Sequence, residues 1–252
     1  MMYSFLLIGQ SNMAGRGHAD EVEPILNDKL IVLRNGRWRP MYTPVNPDTG
    51  MAGICLAESF ADLYAKEKDV QVGLIPCADG GSSLDMWQVG GLLFDHACYM
   101  ASLASRTSTI AGILWHQGEA DSSPELAPLY EQKFSVIVEA LRKKLDLYDV
   151  PFLVGGLGDF LEIRNRQVVN KYGDFRKVNE TLEAMAAKDD MMGFVSAEGL
   201  TANSDNLHFS SVSLRIFGER YYHEFVKLER KDKVFTEKST PDQVIRTGLE
   251  QL

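Results

Sequence analysis

Cysteine and positive charge are both scarce in this sequence. The three cysteines, Cys55, Cys77 and Cys98, are widely spaced among 252 residues and form no C-x-x-C pair. The spacing therefore predicts buried free thiols in a reducing compartment rather than a disulfide framework or a zinc site. Lys and Arg number 26 against 35 Asp and Glu, for a formal net charge of −9. That balance disfavours nucleic acid and anionic membrane surfaces as partners.

Long apolar runs and targeting signals are also lacking. No stretch approaches the roughly 18 apolar residues of a membrane-spanning helix. The short apolar run that follows Ser4 has no basic region before it and no small-residue cleavage site after it, so no signal peptide is predicted. Together with the cysteine usage, this pattern predicts a cytoplasmic protein. The composition, 45% hydrophobic and 24% charged residues, is that of a soluble globular chain with one sizeable core.

Short apolar runs alternate with helical patterns along the chain. The predicted strands are Ser4–Gly9, Val70–Pro76, Ile110–His116, Pro151–Gly156 and Gly193–Ala197. The predicted helices are Ile54–Lys66, Gly91–Ser105, Pro124–Leu147, Phe175–Lys188 and Val212–Glu229. This alternation predicts an α/β fold with a parallel sheet covered by helices on both faces. Glu21–Met51 is a predicted loop with room for a short hairpin. Residues 1–229 are predicted to form one domain, and 230–252 a charged tail or peripheral helix.

A serine stands where the first predicted strand ends, in "LLIGQSNMAGRG". Open α/β sheets bind ligands at the carboxyl ends of their strands, so Ser11 is either a helix cap or a nucleophile at that edge. A serine nucleophile needs an adjacent base that a third group orients. His208 and Asp205 fit those roles in "DNLH", because an Asp three residues before a His can bond its Nδ1 across a tight turn.

An acyl-transfer site also needs N–H donors for the oxyanion of its tetrahedral intermediate. The candidates are the backbone N–H of Ser11, a backbone N–H of Gly80 or Gly81 in "ADGGSS", and the side-chain amide of Gln117 in "HQGEAD". Other residues are expected to support or line the site; these are Gln10, Asn12, Gly80, Ser82, His116, Glu119 and Asp159. Asp121 is expected to cap the helix near Pro124. Trp87 is either a sugar-stacking platform or part of the core.

Other functions compete with a serine hydrolase. A metal-dependent hydrolase would draw on His116, Glu119, Asp121, Asp205 and His208, although H-x-x-E is not the H-E-x-x-H pattern. An anion-binding role for the first loop lacks the spacing of nucleotide-binding motifs. The presence of a nucleophile, a base and an orienting carboxylate argues against a non-catalytic carbohydrate-binding module on a degenerate esterase fold. An esterase or lipase acting on non-carbohydrate esters or thioesters remains open.

Five segments occur in an order that is familiar from one family: "GQSNMAG", "PCADGGSSLDMW", "WHQGEAD", "GLGDFL" and "DNLHFSSVSLRIFGERY". Together they closely resemble the SGNH-hydrolase esterases of carbohydrate esterase family six, which are acetylxylan-esterase-like and sialate O-acetylesterase-like enzymes. The resemblance implies a flavodoxin-like three-layer α/β/α sandwich.

The same resemblance implies hydrolysis of acetyl esters on sugars without a metal or other cofactor. By motif, it makes Ser11 the nucleophile, Asp205 and His208 its partners, and Gly81 and Gln117 oxyanion donors. The expected partner is an acetylated sugar or oligosaccharide, such as acetylxylan, a xylo-oligosaccharide or a sialic-acid-like sugar. An acidic surface with an extra tail is compatible with a homo-oligomer.

Overall fold

A mixed seven-stranded sheet forms the centre of the molecule. The computed structural model describes residues 1–229, and the tail predicted for 230–252 lies outside the described residues. The strands are β1 Met2–Gly9, β2 Leu30–Arg34, β3 Arg37–Pro40, β4 Gln71–Pro76, β5 Thr109–His116, β6 Phe152–Gly155 and β7 Met192–Val195. Their order is β3-β2-β4-β1-β5-β6-β7. β2 and β3 pair antiparallel, and the other neighbours in this described sheet pair parallel.

Helices cover both faces of this sheet. They are α1 Ser11–Ala14, α2 Leu56–Lys68, α3 Leu92–Ala104, α4 Tyr130–Leu145, α5 Leu161–Gln167, α6 Phe175–Lys188 and α7 Ser211–Glu229, with short 3-10 helices at Glu119–Asp121 and Ala127–Leu129. None of the helices within residues 1–229 is long and apolar enough to cross a membrane.

The side chains of β1 alternate between two hydrophobic cores. Phe5 and Leu7 pack with residues of α2 and α7, whereas Leu6 and Ile8 pack with residues of α3, α4 and α6. All four side chains are fully buried, as expected for a central parallel strand covered on both faces. The predicted three-layer α/β/α fold is confirmed.

All five predicted strands are present with nearly the predicted bounds, but the predicted start of one helix was wrong. The short hairpin for which Glu21–Met51 had room is formed by β2 and β3, and β2 also extends the sheet by pairing with β4, which was not predicted. The helix predicted to begin at Pro124 begins at Tyr130, after the 3-10 turn Ala127–Leu129. Helix α5 was not predicted. The three cysteines are buried and free, as predicted.

The order of the strands brings three loops together at the carboxyl ends of the parallel strands. From β1 the chain first builds β2, β3 and β4 on one side, and then crosses to β5 on the other. β1 is therefore a topological switch point, where ligands bind outside the carboxyl ends of the strands. The loops after β1, β4 and β5 meet at this edge.

Candidate active site

The turn after β1 depends on a glycine. Gly9 has φ of 127°, and a Cβ there would lie 2.1 Å from the carbonyl oxygen of His116, so no other residue fits without displacing β5. The next residue, Gln10, donates its N–H to the same His116 carbonyl (2.9 Å) and occupies the N-cap position of α1. Ser11 is therefore the first residue of a single helical turn and not its cap.

The Ser11 hydroxyl belongs to a hydrogen-bonded chain of three side chains. Its Oγ lies 3.0 Å from Nε2 of His208. Nδ1 of His208 lies 2.6 Å from Oδ2 of Asp205. Ser11 is 6% exposed, and the Asp205 side chain 41%. The three residues that the sequence singled out therefore meet, with the hydroxyl–imidazole–carboxylate order of a serine hydrolase.

The turn that carries Asp205 also fixes its carboxylate. Oδ1 of Asp205 accepts the backbone N–H groups of Leu207 (2.9 Å) and His208 (3.0 Å). Burial raises the pKa of Asp205, but these two N–H groups and the His208 imidazole outweigh it and leave the pKa below its ordinary value. A lowered pKa keeps the carboxylate ionised, so that it holds the Nδ1–H tautomer of His208.

Two backbone N–H groups at this edge are without a protein acceptor. Within residues 1–229, neither the N–H of Ser11 nor that of Gly81 donates a hydrogen bond to the protein. Gly81 has φ of 76° and open space beside its Cα. Its neighbour Gly80 donates instead to Oδ2 of Asp48 (2.9 Å), so Gly81 is the better candidate of the two for an oxyanion donor.

Gln117 is placed differently from its predicted role. The side chain is fully buried, and Nε2 donates to the Ser82 carbonyl (3.1 Å) and to Oδ2 of Asp121 (2.5 Å). Oε1 accepts the Tyr130 hydroxyl (3.0 Å). In this arrangement Gln117 has no amide proton left for an oxyanion, so we reassign it as a residue that holds the loop after β4.

Asn12 connects the loop after β1 to the two residues that flank His208. Its Oδ1 accepts the N–H of Phe209 (3.1 Å), and its Nδ2 donates to the Leu207 carbonyl (3.2 Å) and to Glu119. Asn12 is buried, so it supports the turn that carries His208 from the interior of the protein.

Two other residues predicted to support the site, Gln10 and Ser82, form hydrogen bonds with the backbone of the surrounding loops. Gln10 Oε1 accepts the N–H groups of Gly118 and Ala120, which shapes the loop after β5. Ser82 is buried and donates its hydroxyl to the carbonyl of Asp79 (2.7 Å). Asp159 is exposed and lies 3.5 Å from Arg176, and its rim role stays a prediction.

His116 and Glu119 are buried behind the site. Nε2 of His116 lies 3.2 Å from the Gly156 carbonyl, and Nδ1 lies 3.8 Å from Glu119. Burial lowers the pKa of His116 despite the nearby Glu119, so the ring is kept neutral. Within residues 1–229 no three His, Cys, Asp or Glu side chains are grouped to hold a metal ion. The five residues on which a metal-dependent hydrolase would draw therefore do not form one metal site in the described part of the chain.

The expectation for Asp121 was wrong, and the structure decides between the two roles given for Trp87. Asp121 caps no helix; its Oδ2 accepts the Leu84 N–H (2.9 Å) as well as Gln117, and burial raises its pKa. Trp87 is fully buried and packs edge-on against Trp115 with ring centroids 5.5 Å apart. It is therefore a core residue and no sugar platform.

An ion pair that the sequence analysis missed holds the loop after β4. Arg16 donates to both carboxylate oxygens of Asp48 (3.0 and 2.6 Å), and Asp48 accepts the Gly80 N–H. Nearby, Asn46 exchanges two hydrogen bonds with the backbone of Ala78 (2.9 and 3.0 Å). No periodicity or motif marks these residues in sequence, because they act through a non-local contact.

We expect Asp48→Ala to destabilise the protein strongly. The Asp48 and Arg16 side chains are 4% and 6% exposed, so the substitution leaves a buried guanidinium without its partner, at a cost of about 3–5 kcal/mol in the free energy of unfolding. The control is Asp95→Ala, because Asp95 and Lys144 form an exposed pair worth about 1 kcal/mol or less. Urea unfolding measures both, and equal losses would contradict the expectation.

The sequence matches a known family over most of its length. The family described as "Carbohydrate esterase, sialic acid-specific acetylesterase" matches residues 2–227. A probable carbohydrate esterase of Arabidopsis thaliana is 27% identical over 230 residues, which cover 82% of this chain and 84% of the relative.

Solved structures share the fold. A structure of the Arabidopsis thaliana protein superposes with a TM-score of 0.79 at 24% identity, covering 89% of this chain and 98% of the other. The structure of NanS gives 0.74 at 16% identity, covering 91% and 98%. A carbohydrate acetylesterase of Xanthomonas citri gives 0.64 at 16% identity, covering 90% of this chain and 57% of the other.

Proposed function

The chain belongs to the carbohydrate esterase family of sialic acid-specific acetylesterases, and we propose that it removes O-acetyl groups from sugars through an acetyl-Ser11 intermediate. As a member, it is a carboxylic-ester hydrolase, a carbohydrate O-acetylesterase in general terms. The observation that carries the proposed mechanism is the continuous chain from Asp205 through His208 to the Ser11 hydroxyl.

In the first half of the proposed reaction, Ser11 Oγ attacks the carbonyl carbon of the acetyl ester while Nε2 of His208 takes the hydroxyl proton. The carbonyl oxygen, on which negative charge develops, accepts hydrogen bonds from the free N–H groups of Ser11 and Gly81. His208 then donates its proton to the sugar oxygen as the ester bond breaks. The sugar leaves with a free hydroxyl, and the acetyl group stays on Ser11.

In the second half, a water molecule attacks the acetyl-enzyme and gives its proton to His208. The tetrahedral intermediate collapses, His208 returns the proton to Ser11 Oγ, and acetic acid leaves and ionises to acetate in solvent. Asp205 stabilises the imidazolium that forms in each half and keeps Nε2 pointed at the reacting oxygen. Asn12 holds the turn that carries His208, and Gln10 holds the neighbouring loop after β5.

A series of p-nitrophenyl esters tests the proposed acyl preference. We expect kcat/KM to fall from the acetate to the butyrate and octanoate esters, because the segments 9–12 and 78–83, which carry Ser11 and Gly81, consist of glycine, alanine and polar residues. A long apolar acyl pocket would instead raise kcat/KM about fourfold for each buried methylene, at ~0.8 kcal/mol apiece.

Preference for the octanoate ester would contradict the proposal and favour the alternative esterase or lipase acting on non-carbohydrate esters. If the acetate ester is preferred, the next experiment measures acetate release from an acetylated xylo-oligosaccharide and from an O-acetylated sialic acid. Release from neither sugar, with p-nitrophenyl acetate cleaved, would overturn the carbohydrate substrate.

A further inference from the structure

Asp79 is held rigidly between the nucleophile turn and the Gly81 loop. Its N–H donates to the carbonyl of Gly9 (3.1 Å), two residues before Ser11. Its own carbonyl accepts the hydroxyl and the N–H of Ser82 (2.7 and 3.3 Å). The backbone of Asp79 is therefore fixed at the edge where the substrate must bind, two residues from the proposed oxyanion donor.

The side chain of Asp79, in contrast, has no hydrogen-bond donor from the described residues and is partly open to solvent. Across residues 1–229, no N–H or O–H group donates to its carboxylate and no cation pairs with it, although the residue is half-buried. Burial and the nearby Asp48 carboxylate raise the pKa of Asp79, and Arg16 offsets this only in part. A partly desolvated carboxylate without donors gains most from a ligand that supplies them.

Two cations near the loop after β4 already have acidic partners. Arg16 is neutralised by Asp48 through two hydrogen bonds. Lys133 of α4 pairs with Asp85 of the loop after β4 (2.6 Å). Asp79 therefore adds a negative charge beside the site that Arg16 compensates only in part, and this charge would repel the carboxylate of an acidic sugar.

We propose that Asp79 is the specificity-determining residue of the site: its carboxylate accepts hydrogen bonds from free hydroxyl groups of a neutral O-acetylated sugar and disfavours sugars that carry a carboxylate. This inference rests on the proposed function, because it concerns the sugar that the Ser11 site deacetylates. It assigns the substrate class as partly acetylated neutral sugars with a hydroxyl next to the acetyl ester. Hydrogen bonds to a charged acceptor are among the stronger ones, which suits discrimination between hydroxylated ligands.

The test compares kcat/KM for an acetylated xylo-oligosaccharide with that for an O-acetylated sialic acid. The wild type is expected to favour the neutral sugar about tenfold or more, and Asp79→Asn to lower this ratio about tenfold, because the neutral sugar loses a charged acceptor and the acidic sugar loses a repulsive charge. The matched control is Asp85→Asn, which removes the same charge from an exposed position of the loop and should leave the ratio within about twofold.

An unchanged ratio in Asp79→Asn, or an equal change in Asp85→Asn, would overturn the proposal. If Asp79→Asn fails to fold, salt provides the second test on the wild type. Raising the ionic strength should increase kcat/KM for the acidic sugar several-fold and leave the neutral sugar unaffected, since screening weakens repulsion between charges. A wild type that prefers the acidic sugar at every salt concentration also overturns the proposal. Failure of the wild type to cleave p-nitrophenyl acetate would instead contradict the proposed function itself.

Discussion

Replacement of Ser11 by alanine is expected to lower kcat for p-nitrophenyl acetate by a factor of about 10⁵ to 10⁶, as loss of the nucleophile does in serine hydrolases generally. The substitution removes the Oγ that lies 3.0 Å from His208 and leaves the backbone N–H of residue 11 in place. Stability should change little, because the hydroxyl donates to no backbone group that the fold needs. The expected result is therefore an inactive protein with an unaltered unfolding midpoint.

Ser83→Ala is a suitable control for this experiment. Ser83 lies on the loop after β4 and is only half-buried, so its hydroxyl should contribute little to kcat. Residual activity above about one per cent in Ser11→Ala would contradict the proposed nucleophile, because removal of that group leaves only binding and oxyanion stabilisation.

Asp205→Asn is expected to lower kcat by about 10³ to 10⁴ with a small effect on KM, which is the size of loss seen when a triad carboxylate becomes an amide. The amide keeps the shape of the side chain but loses the charge that stabilises protonated His208 through its Nδ1. It can also turn its NH₂ group toward Nδ1 and favour the wrong tautomer of the imidazole.

The kinetic signature separates this role from a structural one. We expect the kcat of Asp205→Asn to recover partly at high pH, where hydroxide supplements the weakened base, whereas a merely misfolded protein would lose activity at all pH values. Asp95→Asn, at an exposed position paired with Lys144, serves as the charge control. Equal kcat values for Asp205→Asn and wild type would remove Asp205 from the mechanism.

The central sheet was predictable because its strands are continuous apolar runs. Ile110–His116 reads as a strand from its side chains alone, since both faces of β5 are buried. β3 has the sequence "RWRP" and is largely exposed, so nothing in its pattern distinguishes it from a polar loop. Helix α5 is a short segment with one fully buried residue, Leu161, too little for a helical periodicity to emerge.

The position of the site was predictable, but many of the hydrogen bonds and ion pairs that hold it were not. Parallel strands bring their carboxyl ends to one edge, which is enough to predict that Ser11 and the Asp205–His208 turn lie together. Hydrogen-bond partners of a buried amide such as Gln117 depend on neighbours that only the folded chain provides. The Arg16–Asp48 pair joins loops 32 residues apart, and no local pattern records such a contact.

Trapping the acetyl-enzyme tests the proposed mechanism most directly. Wild-type protein is mixed with excess p-nitrophenyl acetate, quenched in acid during turnover, digested and examined by mass spectrometry, with Ser11→Ala treated in parallel. The proposed mechanism requires one acetyl group on the peptide that contains Ser11, and none on the corresponding peptide of Ser11→Ala. An acetyl group on another residue at full occupancy, together with continued hydrolysis by Ser11→Ala, would contradict it.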